Sequence, residues 1–192
     1  MDINLIIVSV YSYFLGSIPF GFILTKIFLK QDIRETGSGN IGATNVLRTG
    51  NKLLAILTLV LDFLKGYMTI IITLKYFNDL ILLSALICLL GHIFSIWLKF
   101  KGGKGVATYL GILLALSFNY FLIFIIVWVS ILLILRYSSL SSILATFGIF
   151  IYEYFFLENN ILSFLFISFI IILYAHRSNI LKLINKTETK VF

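Results

Sequence analysis

Apolar residues in this chain come in long blocks with few interruptions, at about residues 4–29, 53–75, 80–99, 105–118, 119–135, 139–157 and 160–176. A helix that crosses a bilayer needs about 20 apolar residues, with a range of ~17–25. Hydrocarbon offers backbone groups no water, so a spanning segment must satisfy them internally as a helix does. The blocks predict an all-α integral membrane protein, a seven-helix transmembrane bundle. The weakest segment is 105–135, too long for one comfortable helix and too short for two full ones. Ser117–Phe118–Asn119–Tyr120 is the plausible break. The fourth span is therefore expected to be short, tilted or partly re-entrant.

Charge orients the bundle. With seven spans and the N-terminus outside, Lys26, Lys30, Arg34, Arg48, Lys52, Lys99, Lys101, Lys104, Arg136, Arg177, Lys182, Lys186 and Lys190 all fall inside. Asp2, Lys75, Asp79, Glu153 and Glu158 fall outside. This matches the enrichment of Lys and Arg in cytoplasmic loops. Six spans would move Arg136 and the basic tail outward and the acidic 153–158 turn inward. The expected topology thus places the C-terminus in the cytoplasm and the protein as a multi-pass chain in the bacterial cytoplasmic (inner) membrane.

Composition agrees. Of 192 residues, 60% are hydrophobic and 12% charged, against about 25% charged in an average soluble domain. A single membrane domain over 1–192 is expected. The net charge of +7 could suggest nucleic acid, but its placement beside span ends points to the membrane surface and membrane lipids, with no nucleic-acid partner. The start of the chain lacks a basic leader with a small-residue cleavage site, so residues 3–29 are expected to be retained. Cys88 is the only cysteine, expected to be a small core residue. No fixed-period repeat is visible, and no His, Cys and carboxylate cluster suggests a metal.

Three polar segments, 30–52, 99–108 and 176–190, all adjoin the expected inner side. The first contains 37-GSGNIGATNVLRTG-50. Glycines let backbone N–H groups approach an anion closely. Ser38, Thr44 and Asn45 add side-chain hydrogen bonds, and Arg48 adds a planar fork suited to phosphate. The run G-S-G-N-I-G spells a dinucleotide fingerprint but lacks the βαβ unit that gives the fingerprint its meaning. The second segment, 99-KFKGGKGVAT-108, places Lys104 among Gly102, Gly103 and Gly105 at a helix start, a favourable anion site. It is not a Walker A loop, because Gly105 stands where Ser or Thr is needed. In the third, His176 and Asn179 share a face if the seventh helix continues. His92 reads as structural. Asp62 and Lys65 are an intramembrane ionisable pair, equally compatible with lining the site and with bracing it.

The motifs GSIPFG (16–21), GSGNIGATNVLR (37–48), DFLKG (62–66), GHIF (91–94), FKGGKGVAT (100–108) and HRSNI (176–180) resemble the bacterial acyl-phosphate:glycerol-3-phosphate acyltransferases, the PlsY family. They span nearly the whole chain in order. The resemblance implies a cofactor-free enzyme with seven spans and a cytoplasm-facing site. Its reaction would move a fatty acyl group from acyl phosphate to the 1-hydroxyl of sn-glycerol 3-phosphate, giving lysophosphatidic acid. It further implies Ser38, His176 and Asn179 as the catalytic set. Ser38, Gly39, Asn40, Thr44, Asn45, Arg48, Gly102, Gly103 and Lys104 would hold substrate phosphate, without metal. Two positions depart from the family pattern: Ser95 stands where proline is usual, and Lys186 where glycine is usual.

Two other classes fit parts of the pattern. A carrier for a phosphorylated solute would use the basic loops as a selectivity region. The near absence of polar residues on the outer side argues against it. A head-group-binding scaffold without turnover is the other. The His-x4-Asp pair of acyl-CoA-dependent glycerol-phosphate acyltransferases is missing, since Trp97 follows five residues after His92 and Leu181 five after His176.

Overall fold

The computed structural model describes residues 3–156 and 161–191, and no strand occurs among them. The helices are α1 (Ile3–Ser17), α2 (Phe20–Phe28), α3 (Ala43–Leu47), α4 (Lys52–Tyr76), α5 (Ile81–Ile93), α6 (Val106–Leu116), α7 (Phe118–Leu135), α8 (Ser138–Phe156), α9 (Leu162–Ala175) and α10 (Arg177–Ile184). Each of the seven apolar blocks carries helix. Five helical segments among the described residues are long and apolar enough to cross a membrane: Ile3–Phe28, Lys52–Tyr76, Asn78–Leu98, Phe118–Leu135 and Ser138–Phe156. A sixth is possible if α9 and α10, bent by 62°, count as one. The short member is α6, with 11 residues, or about 16 Å at the usual rise of ~1.5 Å per residue. The break falls at Ser117, whose hydroxyl accepts a hydrogen bond from the Asn119 N–H. Asp2 and Glu158, two of the expected outer charges, lie outside the described residues.

The chain divides into two compact units, Met1–Ala115 and Leu116–Phe192. In the first, α1 packs along α5 at small residues. A Cβ on Gly16 would lie 2.1 Å from the Cys88 carbonyl oxygen, and one on Gly91 would lie 2.5 Å from that of Tyr13. Such close approach is the usual way helices associate in lipid, where apolar area gives no advantage. Hydroxyls reinforce it: Tyr11 with Thr73 at 2.5 Å, Ser12 with Ser84 at 2.8 Å, and Thr73 with Ser84 at 2.7 Å. Pro19 separates α1 from α2, since it lacks an N–H to continue the ladder. Side chains cover the broken end. Lys65 Nζ donates to the Ile18 carbonyl at 2.7 Å, Ser95 Oγ to the Ser17 carbonyl at 2.6 Å, and Trp97 Nε1 to Ser17 Oγ at 2.9 Å.

In the second unit α7, α8 and α9 pack successively. Trp128 Nε1 donates to Ser142 Oγ at 3.0 Å, and Phe147 and Phe150 meet Phe169 and Phe166 at centroid distances of 5.2 and 5.4 Å. Glu153 was expected in a turn on the outer side. It lies instead within α8, fully buried, and accepts a 2.6 Å hydrogen bond from the Tyr120 hydroxyl. Its charge therefore says little about which side of the membrane it marks.

Candidate functional site

The stretch 37–48 forms a closed loop organised by Asn45. The Asn45 Nδ2 group donates to the carbonyls of Ile33 at 3.1 Å, Thr36 at 2.9 Å and Asn40 at 2.8 Å. Its Oδ1 accepts from the Ser38 N–H at 2.9 Å. Asn45 is buried, and its amide is engaged by the loop itself. Asn40 does a smaller version of the same work, accepting from the Gly42 N–H at 3.0 Å. Gly37 and Gly39 take the left-handed conformation, at φ 57° and 72°, which glycine adopts without a Cβ penalty. Gly37 also makes room: a Cβ there would sit 2.4 Å from Asn45 Oδ1 and 3.1 Å from Arg48 Cδ. The Arg48 side chain thus runs beside Gly37, next to Ser38. Ser38, Gly39, Thr44 and Arg48 are exposed.

Arg34, three residues before the loop, pairs with Asp32. Arg34 Nη2 lies 2.6 Å from Asp32 Oδ2, and its Nε lies 2.9 Å from Oδ1. The guanidinium lowers the Asp32 carboxyl to about 2, and its other face covers the Phe22 ring. Beneath the loop, Ile33, Ile41, Val46, Leu54, Ala55 and Leu98 form one apolar cluster. Leu98 is the link that matters, because it immediately precedes the second loop. The chain entering the second loop therefore packs on the same apolar floor as the first loop.

In the second loop, Gly102 and Gly103 do not offer their N–H groups outward. They donate to the carbonyls of Ile93 at 2.9 Å and His92 at 3.1 Å, closing the C-terminal end of α5. Their missing side chains are equally required. A Cβ on Gly102 would lie 2.0 Å from the His92 carbonyl oxygen, and one on Gly103 would lie 2.2 Å from His92 Nε2. These glycines shape the loop. Lys104 follows them, half-buried, and Gly105 at φ 81° leads into α6.

His176 and Asn179 belong to the second unit. The seventh apolar block does not continue as a straight helix to give them a common face: it bends by 62° at His176. The bend fixes the histidine in another way. Its Nδ1 lies 2.8 Å from the Ile172 carbonyl oxygen. A carbonyl can only accept, so Nδ1 carries the hydrogen and, in the neutral ring, Nε2 keeps the lone pair. Asn179 Nδ2 donates to Glu188 Oε1 at 2.6 Å, and Ser139 Oγ donates to the same oxygen at 3.0 Å. The tail is held close by the Val191 N–H, which donates to the Arg136 carbonyl at 2.9 Å. Glu188 and Ser139 escaped the sequence reading. The available signal was one carboxylate set among Lys182, Lys186 and Lys190.

Helices of spanning length, with two glycine-bearing polar loops in the first unit and a polar helix bend in the second, define an integral membrane protein. The chain belongs to the glycerol-3-phosphate acyltransferase family, whose profile matches residues 6–186. Glycerol-3-phosphate acyltransferase of Pelagibacter ubique is 54% identical over 185 residues, covering 96% of each chain. That of Brucella anthropi is 44% identical over 191 residues, covering 100% of this chain and 95% of the relative. The crystal structure of PlsY (YgiH), an integral membrane glycerol 3-phosphate acyltransferase, in its glycerol 3-phosphate form superposes with a TM-score of 0.91. It is 38% identical, over 97% of this chain and 95% of that one. Its lysophosphatidic acid form gives 0.88 at the same identity and coverage.

The backbone at the two positions expected to depart from the family pattern, Ser95 and Lys186, suits the residues expected there. Ser95 has φ −62°, inside the range that proline would fix. Lys186 has φ 58°, the left-handed conformation that glycine adopts most readily.

Proposed function

We propose that this chain transfers a fatty acyl group from acyl phosphate to the 1-hydroxyl of sn-glycerol 3-phosphate, releasing lysophosphatidic acid and phosphate. The observation that carries this reading is full-length likeness to PlsY in both its glycerol 3-phosphate and lysophosphatidic acid forms. The two units act in it as one seven-span domain of the bacterial inner membrane. The lysines and arginines beside them assign the two glycine-bearing loops to the cytoplasmic side, and the same rule assigns the basic tail after His176 there.

Roles follow from the local geometry. Asn45, Asn40, Gly102 and Gly103 hold loop shape, with Gly39 allowing the chain to turn. Ser38, Thr44, Arg48 and Lys104 present hydroxyl and cationic groups to phosphate. The glycerol 1-hydroxyl oxygen attacks the acyl carbon. The bond from that carbon to the bridging phosphate oxygen breaks, and phosphate leaves with the electron pair. The donor is already activated, so neither a covalent enzyme intermediate nor a cofactor is required. Holding both reactants in attack geometry supplies up to ~7–11 kcal/mol of barrier lowering. The hydroxyl proton passes to His176 Nε2, whose lone pair the Nδ1 bond to Ile172 defines, or to a substrate phosphate oxygen.

The purified protein in liposomes, given labelled glycerol 3-phosphate and acyl phosphate, should form lysophosphatidate, and acyl-CoA should not replace the donor. Vectorial uptake of glycerol 3-phosphate without acylation would establish a carrier instead. His176→Ala should lower kcat by ~10²–10⁴-fold if the ring is the base. Unchanged turnover would assign the proton to phosphate.

A further inference from the structure

Asp62 and Lys65 form an ion pair at 2.8 Å with both side chains about 3% exposed. His92 Nδ1 lies 3.8 Å from the same Asp62 oxygen and 3.2 Å from Thr108 Oγ1. The acyl-transfer steps above make no use of this cluster. Burying an ion pair is a poor way to gain stability, because desolvation offsets the attraction, and intramembrane charge is costly wherever it occurs. Its connections are what set it apart. Lys65 Nζ also binds the Ile18 carbonyl at the α1–α2 break. The next residue, Gly66, lies against Thr108, where a Cβ would come within 2.2 Å of the carbonyl oxygen. Thr108 is in the first turn of α6. His92 accepts the Gly103 N–H at its carbonyl, while its Nε2 fills the space that a Gly103 side chain would need. Four elements therefore meet at one buried charge cluster directly below the 102–105 loop.

We propose that Asp62, Lys65 and His92 are positioning residues that fix the 102–105 loop, and with it Lys104 and the first turn of α6, for a phosphate-bearing substrate. The ion pair anchors α4 to the broken end of α1, and His92 transmits that fixed point to Gly103 through backbone and ring together. The inference rests on the acyl-transfer reading for its ligand, glycerol 3-phosphate.

The test uses the full chain in detergent, with melting temperature, the Kd for glycerol 3-phosphate, and kcat and KM measured side by side. Asp62→Asn and Lys65→Met each leave one buried charge without its partner, so both should melt lower. The double variant Asp62→Asn/Lys65→Met is neutral and should recover most of the melting temperature. It should still bind glycerol 3-phosphate about tenfold more weakly, with KM raised to match and kcat within about threefold of the parent. Recovery of both melting temperature and affinity would reduce the pair to a fold brace and overturn the proposal. So would a loss confined to kcat. Should the double variant not fold, His92→Asn decides the matter. It keeps a polar group near Thr108 but removes the ring beneath Gly103, and an unchanged Kd would overturn the proposal. A parent protein that binds glycerol 3-phosphate without forming lysophosphatidate refutes the acyl-transfer reading and leaves the Kd comparison decisive. A parent that binds none refutes both.

Discussion

Asn45 shows how much one side chain can organise when its amide faces a closed loop. Its Nδ2 reaches three backbone carbonyls and its Oδ1 one N–H. Asn45→Asp keeps the shape but turns an oxygen, usually charged, toward three carbonyl oxygens. The loop should lose about 2–4 kcal/mol, since a buried donor set is replaced by unsatisfied and repelling acceptors. Thermal melting in detergent and proteolysis between residues 33 and 48 both read this. A variant as stable and protease-resistant as the parent would remove Asn45 from its role as clamp. Lys186 presents the opposite case, a residue whose backbone prefers something else. At φ 58° a non-glycine residue is strained, so Lys186→Gly should raise stability by up to ~1 kcal/mol, offset in part by a looser unfolded chain. Activity should be retained, and a lowered melting temperature would contradict the strain. The sequence could mark Asn45 as a polar residue in a glycine-bearing loop. It could not tell ligand contact from loop closure, because both use the same amide hydrogen bonds.

Among the elements, the second glycine loop is where two demands meet in one residue. Gly103 donates its N–H to the α5 end and yields its side-chain space to His92. Its φ is not left-handed, so alanine is resisted by the ring and not by the backbone. Gly103→Ala should therefore cost about 1–3 kcal/mol, the usual range for overpacking. The same change in a His92→Ala background should cost much less, a coupling that a double-mutant cycle isolates. Additive effects would mean that the contact carries no energy. In the sequence, Gly91–His92 at a helix end suggests a structural anchor. That the anchor lies under the GGKG loop depends on a contact between residues 11 apart that no periodicity encodes. The helix bend at His176 was equally out of reach. The apolar run continues to Ala175 with no proline to announce a break, and the His176 ring bond to the Ile172 carbonyl that accompanies the 62° turn leaves no mark in that run.

At the scale of the whole molecule, hydrophobic block length gave the helices, because lipid leaves a backbone few alternatives. It could not give the number of crossings. At about 16 Å, α6 is roughly half the ~30 Å hydrocarbon thickness. If it crosses, the bilayer must thin or the flanking loops must enter the apolar region. The flanks are prepared for that. Gly102 and Gly103 return their N–H groups to α5 carbonyls, and Ser117 accepts from the Asn119 N–H, so these polar groups enter already bonded. Charge supplies the other half, since only a crossing α6 keeps Lys99, Lys101 and Lys104 on the same side as Arg136 and the basic tail. Single cysteines introduced at Asn119 and at Lys190 in a Cys88→Ala background separate the alternatives. With α6 crossing, a membrane-impermeant thiol reagent added outside intact cells labels the first and spares the second. If α6 is re-entrant and the N-terminus stays outside, the pattern reverses: the tail would be labelled and Asn119 protected. The seven-span topology would then fall, and with it the cytoplasmic placement of the basic tail.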